Sequence, residues 1–276
     1  MANKPSPLGL TFWGTRGSYP CSGKNYAQYG GNTSCVEYRV NNELLIFDAG
    51  TGLISLGNSL KKEKISKAHL LLTHFHLDHL LGFPFFPQLW DPSFRLTIYS
   101  GTLEDHGGVE AVLSKLIAPP WLPFRLQDFK ATIEYKDFMP QETWTLGTEV
   151  HLSTYELNHP NRSIGYRVIY RDQCICYITD TEYNALTIEK GFLDFIQESD
   201  VVIFDAAYTE EEYQAFKGWG HTTWQQAVEI CERANVKKLV LYHQAPHHTD
   251  IDLNRIAQLA KDHWSNAIVA YDGLKL

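Results

Sequence analysis

The sequence predicts an α+β fold whose strands deliver reactive side chains at their C-terminal ends. Three observations carry this reading. Short apolar runs separated by polar turns recur along most of the 276 residues. Several of those runs end in His or Asp, the richest ending being His74-Phe75-His76-Leu77-Asp78-His79. Two late segments carry a helical i, i+3, i+4, i+7 apolar stripe. The order is strands, a helix, more strands, then alternating β and α. No repeat, low-complexity segment or linker long enough to separate domains interrupts it, so residues 1–276 are read as one domain.

Leu8 to Trp13 reads as the first strand. Gly14-Thr15-Arg16-Gly17-Ser18 opens a polar stretch to Ser34, either a backbone cradle near an anion or a structural loop; it lacks the P-loop lysine pattern. Cys35–Val40 and Glu43–Asp48 read as strands joined by an Asn41-Asn42 turn, and Ala49-Gly50-Thr51-Gly52 leads into a helix from about Leu53 to Lys62. Ala68–Thr73 is a strand running into the His-rich loop. Leu80–Pro87 is apolar, aromatic and proline-broken; it either packs under that loop, the commoner fate, or lines a ligand pocket. Phe94–Ser100 is a strand, and Gly108–Ala118 a helix with Val109, Val112, Leu113 and Leu116 on one face. Pro119–Phe124 is a rigid connection whose aromatics suit a cleft cap or a subunit contact. Further strands are expected at Lys130–Phe138, Glu149–Leu157, Ser163–Arg171, Cys174–Thr179, Asp200–Asp205, Lys237–His243 and Ala267–Tyr271. The late helices are Thr222–Ala234, with Trp224, Ala227, Val228 and Cys231 in its stripe, and Asp252–His263, with Leu253, Ile256, Ala257 and Ala260.

Hydrophobic content of 44% and charged content of 20% are those of an ordinary globular chain with a sizeable core. A net charge of −8 argues against a broad grip on a nucleic-acid backbone, but not against a small phosphorylated ligand whose charge metal ions balance. Met1–Pro7 has no apolar h-region, and no apolar run approaches a membrane span. The five cysteines have no framework spacing, and Cys174-x-Cys176 reads as a pair of small core residues on one strand face. A reducing, cytoplasmic setting is expected.

His74, His76, Asp78 and His79 put four metal-ligand types within six residues, and His with carboxylate suits zinc, manganese or iron. One loop cannot close a site. Later strand ends supply candidates: His159, Asp180, Asp205 and His243.

With these residues in hand, the chain resembles the metallo-β-lactamase superfamily: His74-x-His76-x-Asp78-His79, then His159, Asp180 in Ile178-Thr179-Asp180-Thr181, and His243. The likeness runs from Gly14-Thr15-Arg16-Gly17 to the last of these, and Asp48-Ala49-Gly50 matches the aspartate that follows an early strand in the superfamily. Gly220-His221-Thr222 is similar to the Gly-His-Ser/Thr motif of the phosphodiesterase branch, which includes ribonuclease Z and the phosphonate-pathway cyclic phosphodiesterases. The resemblance implies a four-layer αββα sandwich holding two divalent metals, Zn²⁺ before Mn²⁺ or Fe²⁺. His74, His76 and His159 would hold one metal; Asp78, His79 and His243 the other; Asp180 would bridge them. It further implies attack by a metal-bridging hydroxide, with His221 as acid or phosphoryl stabiliser, Asp78 counted also in the catalytic set, and Asp205 orienting His221 where the branch usually has glutamate. Two metals roughly 3.5–4 Å apart stabilise both the attacking and the leaving oxygen of an in-line displacement.

The substrate expectation follows from a gap. In ribonuclease Z a protruding arm lies between the residues matching His159 and Asp180; here they stand 21 residues apart, room for one hairpin. A small phosphodiester is therefore expected, a cyclic nucleotide among the candidates, with the aromatic segment Phe83–Phe138 walling the pocket. Long nucleic acid and membrane are not expected partners; the sequence leaves the oligomeric state open, with a homodimer one option because members of the family it resembles are often dimers. The alternatives are a thioester, lactone or ester hydrolase, an RNA 3′-processing nuclease, a diiron redox member, and a metal-bearing nucleotide sensor without turnover. His247 and His248 are either substrate or support contacts or members of a polar loop. His69, His106, His151 and His263 read as structural or solvent-facing.

Overall fold

The computed structural model describes residues 8–183 and 188–276; the N-terminal reading at Met1–Pro7 lies outside the described residues. Among the described residues the strands form two sheets. The first comprises β1 (Leu10–Gly14), β2 (Cys35–Val40), β3 (Glu43–Phe47), β4 (Lys67–Leu71), β5 (Arg95–Ser100) and β6 (Thr132–Asp137), in that order. Its early strands are antiparallel and β3 to β6 are parallel. The second comprises β7 (Thr143–Leu146), β8 (Val150–Leu157), β9 (Ser163–Tyr170), β10 (Gln173–Ile178), β11 (Val201–Asp205), β12 (Leu239–Tyr242) and β13 (Ala267–Val269), also neighbours in sequence order. Here β7 to β10 are antiparallel and β10 to β13 parallel.

Side-chain alternation decides how the layers stack, because neighbours on a strand face opposite ways. In β3, Leu45 and Phe47 join the core between the sheets, while Leu44 and Ile46 join the core under the outer helices. In β11, Val201 and Ile203 face the central core, and Val202 and Phe204 the opposite helical layer. Strands apolar on both faces are those of a sheet covered on both sides. The Phe47 and Tyr177 rings stack across the two sheets at 4.9 Å. Each large apolar side chain buried in this way contributes roughly 1.5–3 kcal/mol. The helices α1 (Gly52–Glu63) and α2 (Gly108–Leu116) cover the first sheet. The helices α3 (Lys190–Ile196), α5 (Trp224–Arg233) and α6 (Asp250–His263) cover the second, and α4 (Glu210–Phe216) lies between β11 and α5 in the chain. The result is the four-layer αββα sandwich.

Four elements depart from the sequence expectations. β7 is four residues long at a sheet edge, so the alternation of Trp144 and Leu146 with Thr143 and Thr145 is too brief to mark it. α3 and α4 are seven residues each, too short for a periodic stripe. α5 starts at Trp224 behind a Thr223–Gln226 capping box, and Thr222 instead donates its hydroxyl to the Thr181 carbonyl.

All five cysteines are free, and Cys174 and Cys176 point into the same helical core. No described helix is long and apolar enough to cross a membrane.

Candidate metal centre

Strand ends build the site. Asp48 directly follows β3, Asp180 stands two residues past β10 and His243 directly follows β12, and all three residues are in the left-handed backbone region, at φ of 58°, 56° and 60°. A non-glycine residue there is uncommon and costs energy that the surrounding structure must hold in place. At each position the turn away from the sheet leaves a polar side chain in the gap between the layers. β4 supplies the loop His74–His79, β8 ends before His159, and β11 ends on Asp205.

Two triads result. The ligand atoms of His74, His76 and His159 lie within 4.8 Å of one another, as do those of Asp78, His79 and His243. Asp180 spans them with one oxygen towards each. Its Oδ1 is 3.7 Å from His74 Nε2 and 3.9 Å from His159 Nε2, and its Oδ2 is 3.2 Å from His79 Nε2 and 3.3 Å from His243 Nε2. Asp78 Oδ2 sits 3.3 Å from His79 Nε2 and 3.2 Å from His243 Nε2.

The outer ring of partners sets which nitrogen faces inward. His79 Nδ1 donates to Asp48 Oδ2 at 2.8 Å, and Asp48 also accepts from the Tyr177 hydroxyl and the Thr73 amide. His159 Nδ1 donates to the Gly220 carbonyl at 2.9 Å. His74 Nδ1 donates to the Thr73 hydroxyl at 3.0 Å, which passes the chain on to Asp48. Each bond fixes a tautomer that leaves Nε2 as a lone-pair donor to the centre. His74 Nε2 and His79 Nε2 are buried without a hydrogen-bond partner.

The electrostatics agree with a cation site. Burial, then His79, pushes the His74 imidazole well below its usual pKa, and burial likewise lowers His76 and His159, so these rings stay neutral donors. Against the cost of burial, His243, His79 and His74 hold the Asp180 carboxyl well below its usual range. Burial opposes it, but Asp180, Asp78 and Asp48 raise the His79 pKa well above its usual value, an excess of negative charge that a cation would balance. Three neutral imidazoles and two ionised carboxylates converging on shared space, with some nitrogens orphaned, fit divalent metal.

His221 stands beside these two triads, and its ring nitrogens also come within 4.8 Å of the ligand atoms of His159 and Asp180 and of those of Asp205 and His243. Its Nδ1 donates to Asp205 Oδ2 at 2.8 Å, and its ring stacks on His243 at 4.9 Å. Burial pushes its pKa down, but Asp205 outweighs that and lifts it to about 9. Asp205 also accepts from the Thr181 and Ala207 amides, so the carboxylate is held from three sides.

Glu182, with no motif around it, and Gly220, of the Gly220-His221-Thr222 motif, shape this corner. Glu182 accepts from the Gly218 and Gly220 amides at 2.8 and 3.0 Å and from the Tyr213 hydroxyl at 2.7 Å, pinning the loop before His221. Gly220 has a φ of +88°, and a Cβ there would lie 2.1 Å from His159 Nδ1. Gly220→Ala is expected to destabilise the fold by about 1–3 kcal/mol in urea unfolding, since both backbone and neighbour resist it.

The glycine-rich loop after β1 packs against the second triad. The Ser18 amide donates to Asp78 Oδ2 at 2.8 Å, and a Cβ on Gly17 would fall 2.3 Å from His243 Cε1. Buried Arg16 ties this loop to the Gly30 and His248 carbonyls. His247 and His248 each bond Glu212 through Nε2 at 2.9 Å, which fastens the loop after β12 to α4. His69 pairs with Glu43, whereas His106 and His151 face solvent.

A family model of the beta-lactamase superfamily domain matches residues 44–244. The chain belongs to the metallo-β-lactamase superfamily. Ribonuclease Z of Bacillus thuringiensis (strain Al Hakam) is 22% identical over 310 aligned positions, covering 95% of this chain and 97% of that protein. Among solved structures, the metallo-β-lactamase fold protein YhfI of Bacillus subtilis superposes with a TM-score of 0.74 at 20% identity, covering 97% of each chain. A diphosphatase from the PhnP family gives a TM-score of 0.71 at 19% identity, over 97% of this chain and 96% of that one. The short form of human tRNase Z gives 0.68 at 19%, over 97% and 98%. These relatives fit the phosphodiesterase branch, and the chain is a metal-dependent hydrolase.

Proposed function

We propose that the chain is a dinuclear metal-dependent phosphodiesterase acting on a small phosphodiester, with cyclic nucleotides the first candidates. The observation that carries the reading is the Asp180 carboxylate, one oxygen towards each histidine-rich triad, with His221 and Asp205 alongside. On this reading His74, His76 and His159 hold one metal, Asp78, His79 and His243 the second, and Asp180 bridges; zinc suits this nitrogen-rich set, manganese and iron less well. Bound metals would supply Lewis-acid charge and a water activated near neutral pH. Asp205 fixes the His221 ring through Nδ1, so Nε2 is the nitrogen left for substrate. A protonated His221 donates to a phosphoryl oxygen or hands its proton to the leaving oxygen.

Two features support a small substrate over RNA. Between His159 and Asp180 the chain holds only the β9–β10 hairpin, leaving no arm there. The chain's net charge is −8. Trp219 supports an aromatic arm on that substrate. It lies two residues before His221 and is 62% exposed, with its loop held by Glu182 and its ring edge-on to Phe216 at 5.5 Å. A rigid exposed indole at a site mouth is a stacking platform. Trp219→Ala is expected to raise KM for nucleotide substrates by the equivalent of about 1–3 kcal/mol with kcat nearly unchanged, as steady-state kinetics would register.

The reading is tested by turnover of metal-loaded protein on cyclic nucleotides, linear dinucleotides, RNA and bis(p-nitrophenyl) phosphate beside thioesters and lactones. Phosphodiester turnover exceeding the rest is expected. Preferential hydrolysis of a thioester or lactone would replace phosphorus by carbon as the target, and tight nucleotide binding without any turnover would make the chain a sensor.

A further inference from the structure

Two clefts flank the metal centre, and they differ in charge. One, of about 540 Å³, opens beside His159 and presents Glu156, Glu182 and Glu189. Its arginine, Arg162, is already paired with Glu104 and Glu156. The other, of about 420 Å³, opens beside His74 and His76. Phe75, Leu103 and Val112 make an apolar surface there, while Lys115 and His106 supply the polar rim, and among the described residues no carboxylate lines it.

Lys115 leaves the last turn of α2 and is exposed. The opposite wall is braced. Arg162 ties the Glu104 turn to the β8–β9 hairpin, and Asn161 of that hairpin reaches within 3.4 Å of His76 Nε2. The cleft thus runs from the triad His74, His76 and His159, over an apolar surface, to a lone ammonium. A linear phosphodiester held at the two triads, unlike a cyclic one, would send its two ester arms in different directions. An arm entering this cleft meets apolar side chains first and a positive charge last. In a chain of net charge −8, an ammonium without a carboxylate partner in its cleft is a local preference for anions.

Resting on the phosphodiesterase reading above, we propose that Lys115 is a specificity-determining residue. It selects phosphodiesters in which one ester arm carries an apolar or aromatic spacer ending in a second anionic group. The acidic cleft beside His159 would repel such a group, so the arm's direction is set as well as its charge.

Thymidine 5′-(p-nitrophenyl phosphate), with and without a 3′-phosphate, tests this on the metal-loaded full-length protein. The wild type is expected to favour the 3′-phosphorylated ester by about tenfold in kcat/KM, the scale of one charge-assisted hydrogen bond. Lys115→Ala should abolish that preference while leaving turnover of the unphosphorylated ester unchanged, and Lys115→Arg should restore most of it. A wild type without the preference, or a Lys115→Ala variant that keeps it, overturns the proposal. Calorimetric titration with thymidine 3′,5′-bisphosphate and thymidine 5′-monophosphate separates the two readings. If neither ester is hydrolysed but the bisphosphate binds about tenfold more tightly and loses that margin in Lys115→Ala, the anion site stands and the phosphodiesterase reading falls. Bisphosphate binding indifferent to Lys115 sinks the anion site whatever the turnover.

Discussion

His221→Ala is expected to lower kcat on bis(p-nitrophenyl) phosphate by about 10²- to 10⁴-fold, the range of a positioned general acid, while metal content stays that of the wild type. The separation follows from position. His221 belongs to neither the His74–His76–His159 triad nor the Asp78–His79–His243 triad, yet it stacks on His243 and takes its orientation from Asp205. Removing it takes away the proton donor and leaves the two triads complete. Asp205→Asn should give a smaller fall in the same direction, because the amide can still hold the ring but no longer favours its charged form. Normal turnover in His221→Ala would remove the residue from the mechanism. A coincident loss of metal would recast it as support for the site.

Asp180→Asn should be at least as damaging, and by the opposite route. Its two oxygens point at different triads, 3.7 Å from His74 and 3.2 Å from His79. Losing the carboxylate charge at that point would remove the counter-charge that two cations held side by side by these triads would share. Metal analysis of the purified variant should find the stoichiometry reduced, and turnover should fall to background even when metal is added back. An Asp180→Asn protein holding its full metal complement at wild-type activity would contradict the bridging role.

Much of the site is legible in the sequence alone. Strand ends bearing His or Asp are local signals, and β3, β4, β8, β10, β11 and β12 all end within a residue or two of where their apolar runs stop. The cluster His74–His79 is legible because its ligand types crowd one loop. The partners that orient those ligands are not. Asp48 matches a superfamily position, but only the folded sheets bring it to His79 and Tyr177, 31 and 129 residues away. Glu182 has no motif at all; its work is to hold two backbone amides before His221. The strained backbone at Asp48, Asp180 and His243 likewise depends on tertiary support rather than on neighbouring residues. For α4 a local signal does exist, outside the apolar periodicity: Thr209-Glu210-Glu211-Glu212 is a capping box, and it opens that helix. The short edge strand β7 carries only two apolar alternations, Trp144 and Leu146, and is fixed by its partner β8 and by the stacking of Trp144 on Tyr99 at 5.2 Å.

The central claim is that the chain's hydrolytic centre needs two metals. Its most direct test is a titration of chelator-stripped protein with Zn²⁺, and separately with Mn²⁺, following bis(p-nitrophenyl) phosphate turnover against metal equivalents. Activity absent at zero and rising to a plateau at two equivalents per chain is the predicted result. A plateau at one equivalent, or turnover indifferent to added metal, would contradict the two-metal centre built around Asp180.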